Sequence, residues 1–167
     1  MGDESMSGTQ GAQEKTYWHT APELPEEVFT MWHKPHRTLN PIAIVATIDP
    51  DGTPNTAPFG SLRAVTPRML RLGTWRGHNT YTNLCRDGRV AVTMVAPSDI
   101  AVSIRGRARI AKERMGADER YAIVEIDIEE VKNDMTGAIV VESAITVSVR
   151  DEHRDWFQVV LGEMEGM

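Results

Sequence analysis

The sequence predicts a mainly β protein, an antiparallel barrel with a few peripheral α-helices. Short β-rich runs recur between Ile42 and Val149, and several alternate apolar with polar residues, the period-two pattern of half-buried strands. Turn chemistry separates them at Asp49-Pro-Asp-Gly52, Thr66-Pro67-Arg68 and Pro97-Ser98-Asp99. Helical periodicity is confined to three short stretches. Many short strands with few helices is the signature of a closed or nearly closed antiparallel sheet.

The elements follow in order. Residues 1–16 are rich in Gly, Ser and Gln with almost nothing to bury, and read as a disordered leader before a single domain over 17–167. A short helix is expected from Pro22 or Pro25, with Leu24, Val28 and Trp32 as its apolar stripe and Pro35 and Pro41 ending it. Ile42–Ile48 and Thr53–Phe59 pair as a hairpin around the Asp-Pro-Asp-Gly turn, in which proline presets φ and glycine accepts a positive φ. A second hairpin joins Leu62–Val65 to Met69–Thr74. Gly77–Arg86 reads as a helix, Arg89–Val95 as a strand, and Ile100–Lys112 as a long strand in which Gly106 marks a bulge. Tyr121 to about Val131 alternates again. Ile139–Val141 and Ala144–Val149 are expected to form a last strand or broken pair. Asp151–Met164 closes the chain as a helix with an acidic first turn and a stripe of Phe157, Val160, Leu161 and Met164.

Composition narrows the function classes. The 167 residues, 41% hydrophobic and 25% charged, suit one domain with one core. No apolar run approaches the roughly 20 residues of a spanning helix, and the amino terminus lacks the basic and apolar regions of a signal peptide. Cys85 is the only cysteine, which excludes an internal disulfide and fits a reducing cytoplasm. Its expected role is that of a small residue on a helix, not a nucleophile.

Charge is segregated along the chain. From Gly52 to Arg86, 35 residues contain no Asp or Glu but carry Arg63, Arg68, Arg71, Arg76 and Arg86. That window is at +5 while the chain is at −6, leaving −11 for the remainder. Gly73-Thr74 and Gly77-His78-Asn79-Thr80 lie within it and supply small hydrogen-bonding groups. An anionic small-molecule site is the reading this favours; a solvated arginine face is the alternative.

Other motifs carry less. Asp49-x-Asp51-Gly52 lacks the later ligands of a calcium loop. His33-x-x-His36 is interrupted by Pro35 and has no companion ligand, so no metal is expected. No Ser-His-Asp, Cys-His or paired-carboxylate arrangement stands out, and no phosphate loop is present. No catalytic residue is therefore assigned. An anion site without acid–base machinery suits a cofactor that carries out the chemistry itself.

Ala46-Thr-Ile-Asp-Pro-Asp-Gly-Thr-Pro-Asn-Thr-Ala-Pro58, Ser61-Leu-Arg, Leu72-Gly-Thr74, Asn79-Thr80 through Asn83-Leu84, and Gly88-Arg-Val-Ala-Val92 together resemble the FMN-binding split-barrel family of pyridoxamine 5′-phosphate oxidase and flavin-reductase-like proteins. The resemblance covers residues 40 to 112 well and the rest by element order. It implies a six-stranded antiparallel Greek-key split β-barrel, and a homodimer with FMN at the subunit interface. It places Phe59, Gly60, Ser61, Leu62 and Arg63 along the isoalloxazine, with Arg63 as a phosphate contact. Gly73, Thr74, His78, Asn79 and Thr80 come beside the ribityl phosphate, with Arg76 as a further contact from the loop. A phosphate at a helix amino terminus beside an arginine agrees with the physics of both groups.

Two departures separate this chain from the oxidase itself. The oxidase has a Ser-Arg-Lys run at the helix start, where this chain has His78-Asn79-Thr80. The carboxy-terminal arginine motif that holds the vitamin substrate has no counterpart. The resemblance thus implies an FMN-dependent oxidoreductase that passes electrons from reduced nicotinamide to a small-molecule acceptor, not a pyridoxamine phosphate oxidase. A flavin or haem carrier and a deazaflavin-dependent reductase are the alternatives on the same barrel. Trp156 is expected to be a core or interface aromatic, with a cover over the partner's flavin as the other reading. Nucleic-acid binding is disfavoured by the acidic total and by 6% aromatic content, and no membrane partner is expected.

Overall fold

The computed structural model describes residues 18–167. The leader expected over 1–16 lies outside the described residues. Antiparallel strands dominate, as the alternation predicts. Their order along the sheet is β3-β2-β6-β7-β8-β5-β4, where β2 is Ala43–Ile48, β3 Pro54–Phe59, β4 Arg63–Thr66, β5 Met69–Trp75, β6 Arg89–Ala96, β7 Ile100–Lys112 and β8 Tyr121–Asn133. A two-residue strand, β1 (Thr20–Ala21), pairs with the far end of β8. The sheet therefore has eight strands where six were expected; one of the two additional strands, β1, is a short segment with no period of its own.

Local chemistry sets the connections. In the β2–β3 turn the Asp51 carboxylate accepts from the Thr53 amide at 2.9 Å, and Gly52 takes a φ of 87°. At Gly106 the β7–β8 register shifts, and the backbones come so close that a Cβ there would lie 2.4 Å from the Asp127 carbonyl oxygen. Helix α1 (Glu26–His33) lays Val28 and Trp32 against the barrel interior, and Trp32 is fully buried. Helix α2 (Asn79–Arg86) carries the chain from β5 across to β6.

Two apolar layers flank β5 and β8. Leu70, Leu72, Val124 and Ile126 point into the main core with Leu62, Val92 and Met94. Ile123 points to the other face, where it meets Met115, Val160, Leu161 and Met164 beneath helix α3 (Arg154–Glu165). The expected closing helix is thus present, preceded by a 3₁₀ turn at Asp151–His153. The expected strands at 139–141 and 144–149 are not: residues 134–150 run without regular structure. Isolated bonds tie this segment to the residues flanking Pro41. The Ile42 amide donates to the Ile145 carbonyl at 2.9 Å, and the Asn40 side chain brackets Val147 at 2.9 and 2.8 Å. Asn40 supplies from a side chain what a neighbouring strand would have supplied from backbone, so no ladder forms.

Candidate functional site

The cationic window does not converge on one point. Arg63 and Arg71 are buried directly opposite each other on β4 and β5. Arg63 donates to Glu165 at 2.7 Å, to the Thr38 carbonyl at 3.0 Å and to the Ser61 carbonyl at 3.2 Å. Arg71 pairs with Glu125. Arg68 is exposed and pairs with Glu23, and Arg86 reaches the Ile48 carbonyl. Arg76 alone of the five has neither an ion pair nor a backbone acceptor for its guanidinium among the described residues. Three of the five arginines are paired with acids brought from outside the window.

The expected site residues fall into two groups. Ser61, Arg63 and Gly73 lie on the outer face of β4 and β5, under α3. The Ser61 hydroxyl donates to the Gly73 carbonyl at 2.7 Å, and a Cβ on Gly73 would lie 2.9 Å from the Met164 sulfur. Gly60 packs against Leu39 and Ile42, and its carbonyl accepts from Lys34 at 2.8 Å. Leu62 is in the core.

The second group surrounds the start of α2. Phe59 at the end of β3 meets the His78 ring edge-on, with centroids 5.9 Å apart. His78 caps the helix, its Nδ1 accepting from the Thr80 amide at 3.2 Å. Thr74 is buried at the end of β5, and Asn79 opens the helix, whose first turn holds no acid. Among the described residues three buried side-chain polar atoms lack a partner, and two of them fall here: Arg76 Nε and Thr80 Oγ1. The Arg76 guanidinium also meets the Tyr81 phenol; burial raises the phenol's pKa and Arg76 opposes that rise. Buried polar atoms are normally paired, and here two unpaired ones lie beside the positive end of a helix.

Arg63 lies opposite Arg71 in the first half of β5 and the start of α2 follows its other end, with Gly73 and Thr74, one from each group, adjacent between them. From Arg71 to Trp75 is four residues, about 13 Å along a strand, and the Arg63 guanidinium is engaged by Glu165, Thr38 and Ser61. Sequence reasoning missed Lys34, Glu125 and Glu165, all of which bear on the Arg63 end. The signal for Glu165 was an acid in the last turn of a helix, where the macrodipole disfavours it.

Among the described residues no group of three or more His, Cys, Asp or Glu is placed to hold a metal. His33 Nδ1 lies 3.1 Å from the Ala64 carbonyl oxygen. Cys85 is exposed on α2. Trp156 packs edge-on against Tyr121 and Phe157 and donates to Asp118 at 3.0 Å. No described helix is long and apolar enough to cross a membrane.

Comparison with known proteins agrees with this architecture. A protein from Lactobacillus delbrueckii described as of the pyridoxamine 5′-phosphate oxidase type superposes with a TM-score of 0.55 at 25% identity, over 68% of this chain and 98% of that one. HupZ from Group A Streptococcus superposes with a TM-score of 0.55 at 19% identity, over 74% of this chain and 99% of its own. An F420 reductase gives 0.54 at 18%, over 66% and 100%. These last two likenesses are of fold. No curated protein matches the sequence significantly. The family model for pyridoxamine 5′-phosphate oxidase matches residues 33–142, and the chain belongs to that family.

Proposed function

We propose that the protein is a flavin-binding oxidoreductase whose cofactor phosphate sits at the amino end of α2. The observation that carries this reading is the pair of unpartnered buried atoms, Arg76 Nε and Thr80 Oγ1, around a capped helix start with no acid in its first turn. A phosphate there gains the α2 amides, the Thr80 hydroxyl and the Arg76 guanidinium together. Asn79 and His78 border the same end, and Phe59 with Thr74 flank the approach along the strands. The residues present therefore fit a phosphorylated cofactor. Flavin, when bound, supplies hydride acceptance and electron transfer. The chain's own part is to hold the phosphate, fix the ring against Phe59, and exclude water.

FMN is the cofactor proposed, with reduced nicotinamide as donor and a small molecule as acceptor. Membership of the family supports a flavin. A homodimer completes the site in this reading: Trp75, half exposed beside the loop to α2, offers apolar surface for a second copy to cover.

The test is titration of the protein with FMN followed by absorbance and flavin fluorescence. Wild type should bind FMN and Arg76→Ala should bind it at least about ten-fold more weakly, the loss of one charge-assisted contact. Equal affinity in the two removes Arg76 from the site. Uptake of deazaflavin or haem with none of FMN overturns the cofactor assignment.

A further inference from the structure

Residues 139–150, between β8 and α3, run as an extended chain: they contain neither turn nor bend, and none has a positive φ. Their sequence, Ile-Val-Val-Glu-Ser-Ala-Ile-Thr-Val-Ser-Val-Arg, is rich in the β-branched residues that strands favour. One edge of this segment is occupied. The Ile145 carbonyl accepts from the Ile42 amide at 2.9 Å, and Val147 donates to the Asn40 side chain at 2.8 Å and accepts from it at 2.9 Å. In an extended chain the amide and carbonyl of one residue point to one edge and those of the next to the other. All three bonds come from odd-numbered positions, so the opposite edge belongs to Glu142, Ala144, Thr146 and Ser148. Their amides and carbonyls have no partner among the described residues, and Glu142, Thr146 and Ser148 are exposed.

An open edge of this kind is a template for another strand. The usual protections are sparse here: between Ile139 and Val149 there is no proline, and Glu142 is the single charge. Ile139, Val140, Ile145 and Val147 are exposed as well. The edge also complements itself. Antiparallel pairing with a second copy about a two-fold axis at Thr146 sets Ile145 against Val147 of that copy, and Glu142 against its Arg150. Directly opposed side chains of opposite charge stabilise a strand pair, and like charges there destabilise it. Neither Glu142 nor Arg150 makes an ion pair among the described residues. Two conditions fix the register. Its centre must be an even-numbered residue, because the odd edge is occupied, and only Thr146 lies equally far from Glu142 and Arg150.

We propose that the open edge of residues 142–150 pairs with the same edge of a second copy of this chain across a two-fold axis. The contact is isologous, each copy giving and receiving the same bonds. It is independent of the flavin reading and shares no residue with the α2 end.

Sedimentation velocity over a range of protein concentrations tests the pairing, with an FMN titration run beside it. Thr146 is exposed and its amide unbonded, so Thr146→Pro removes an edge donor without breaking a bond within the chain. That variant should have at most half the mass of wild type at the same concentration. Glu142→Arg and Arg150→Glu each oppose like charges twice across the axis, and each should weaken self-association at least about ten-fold. The two together should restore it to within about three-fold. FMN affinity should be the same in every variant, so a failure of the flavin reading shows in the titration of wild type and leaves the masses as they are. Equal mass in wild type and Thr146→Pro, single reversals that associate like wild type, or a double reversal as weak as the singles overturns the proposal.

Discussion

Arg71 and Glu125 face each other across β5 and β8, with Nη2 2.5 Å and Nε 3.1 Å from the same carboxylate oxygen. The other oxygen of Glu125 is taken by Arg109 on β7 at 2.6 Å. Arg71 also donates from Nη1 to the Met164 carbonyl of α3. One carboxylate thus ties together three strands, and its partner arginine anchors the helix that covers them.

Removing that carboxylate leaves Arg71 buried without its counter-ion. Breaking one side of a buried ion pair costs about 3–5 kcal/mol, so Glu125→Ala should lower unfolding free energy in urea by about 3 kcal/mol. Arg109 is half exposed, 49%, and Arg109→Ala should cost under about 1 kcal/mol. Similar small losses in both would show that the pair contributes little to holding the sheets and α3 together.

Lys34 makes stability depend on pH. Burial, with the nearby Arg63 charge adding to it, lowers its pKa to about 7 from an ordinary 10.5. Between those values the unfolded chain keeps a proton that the folded chain has released. Stability therefore rises with pH across that window, by at most about 1.4 kcal/mol per unit. Below pH 7 both states hold the proton and the full cost of burying the ammonium is felt. Urea unfolding between pH 6 and 9 should show this rise in wild type and a flatter profile in Lys34→Met. Parallel profiles would mean that Lys34 titrates as an exposed amine.

Gly106 is a test of the bulge. A Cβ there would lie 2.4 Å from the Asp127 carbonyl oxygen and 2.9 Å from Ile126 Cγ2, and the first of these is backbone that cannot swing away. Gly106→Ala should cost about 2–3 kcal/mol, the range of an overpacked site. Gly73→Ala meets only the flexible Met164 sulfur at 2.9 Å, and should cost about 1 kcal/mol or less. If thermal unfolding puts Gly73→Ala below Gly106→Ala, the contrast between rigid and yielding neighbours is wrong.

That bulge was legible from one glycine in an alternating run, as were the Asp49–Gly52 turn and the amino end of α2, because each depends on residues within a few positions. The balance of charge was not. Arg71 meets an acid 54 residues away and Arg63 one 102 residues away, so a stretch that reads as unneutralised is largely neutralised by the fold. The same distance effect hid the division of the eleven expected cofactor contacts into two groups. Residues 144–149 read as a strand because their alternation is real, but Asn40 side-chain bonds take the place of a ladder there. Local pattern fixed the elements; only tertiary pairing showed which arginine was left without an acid or carbonyl partner for its guanidinium.

Thr80 separates a structural hydroxyl from a binding one. Its Oγ1 is buried and unpartnered, and the residue is 1% exposed at the second position of α2. An unsatisfied buried hydroxyl costs about 1–3 kcal/mol, a cost that the isosteric valine avoids. Thr80→Val should therefore raise the melting temperature of the ligand-free protein, gaining about 1 kcal/mol. The same change should weaken FMN binding by about ten-fold, since the hydroxyl is unavailable to the phosphate. Higher stability with weaker FMN binding is the joint outcome expected of a group kept for a ligand. Higher stability with unchanged FMN affinity would make Thr80 a packing residue and move the phosphate away from this helix.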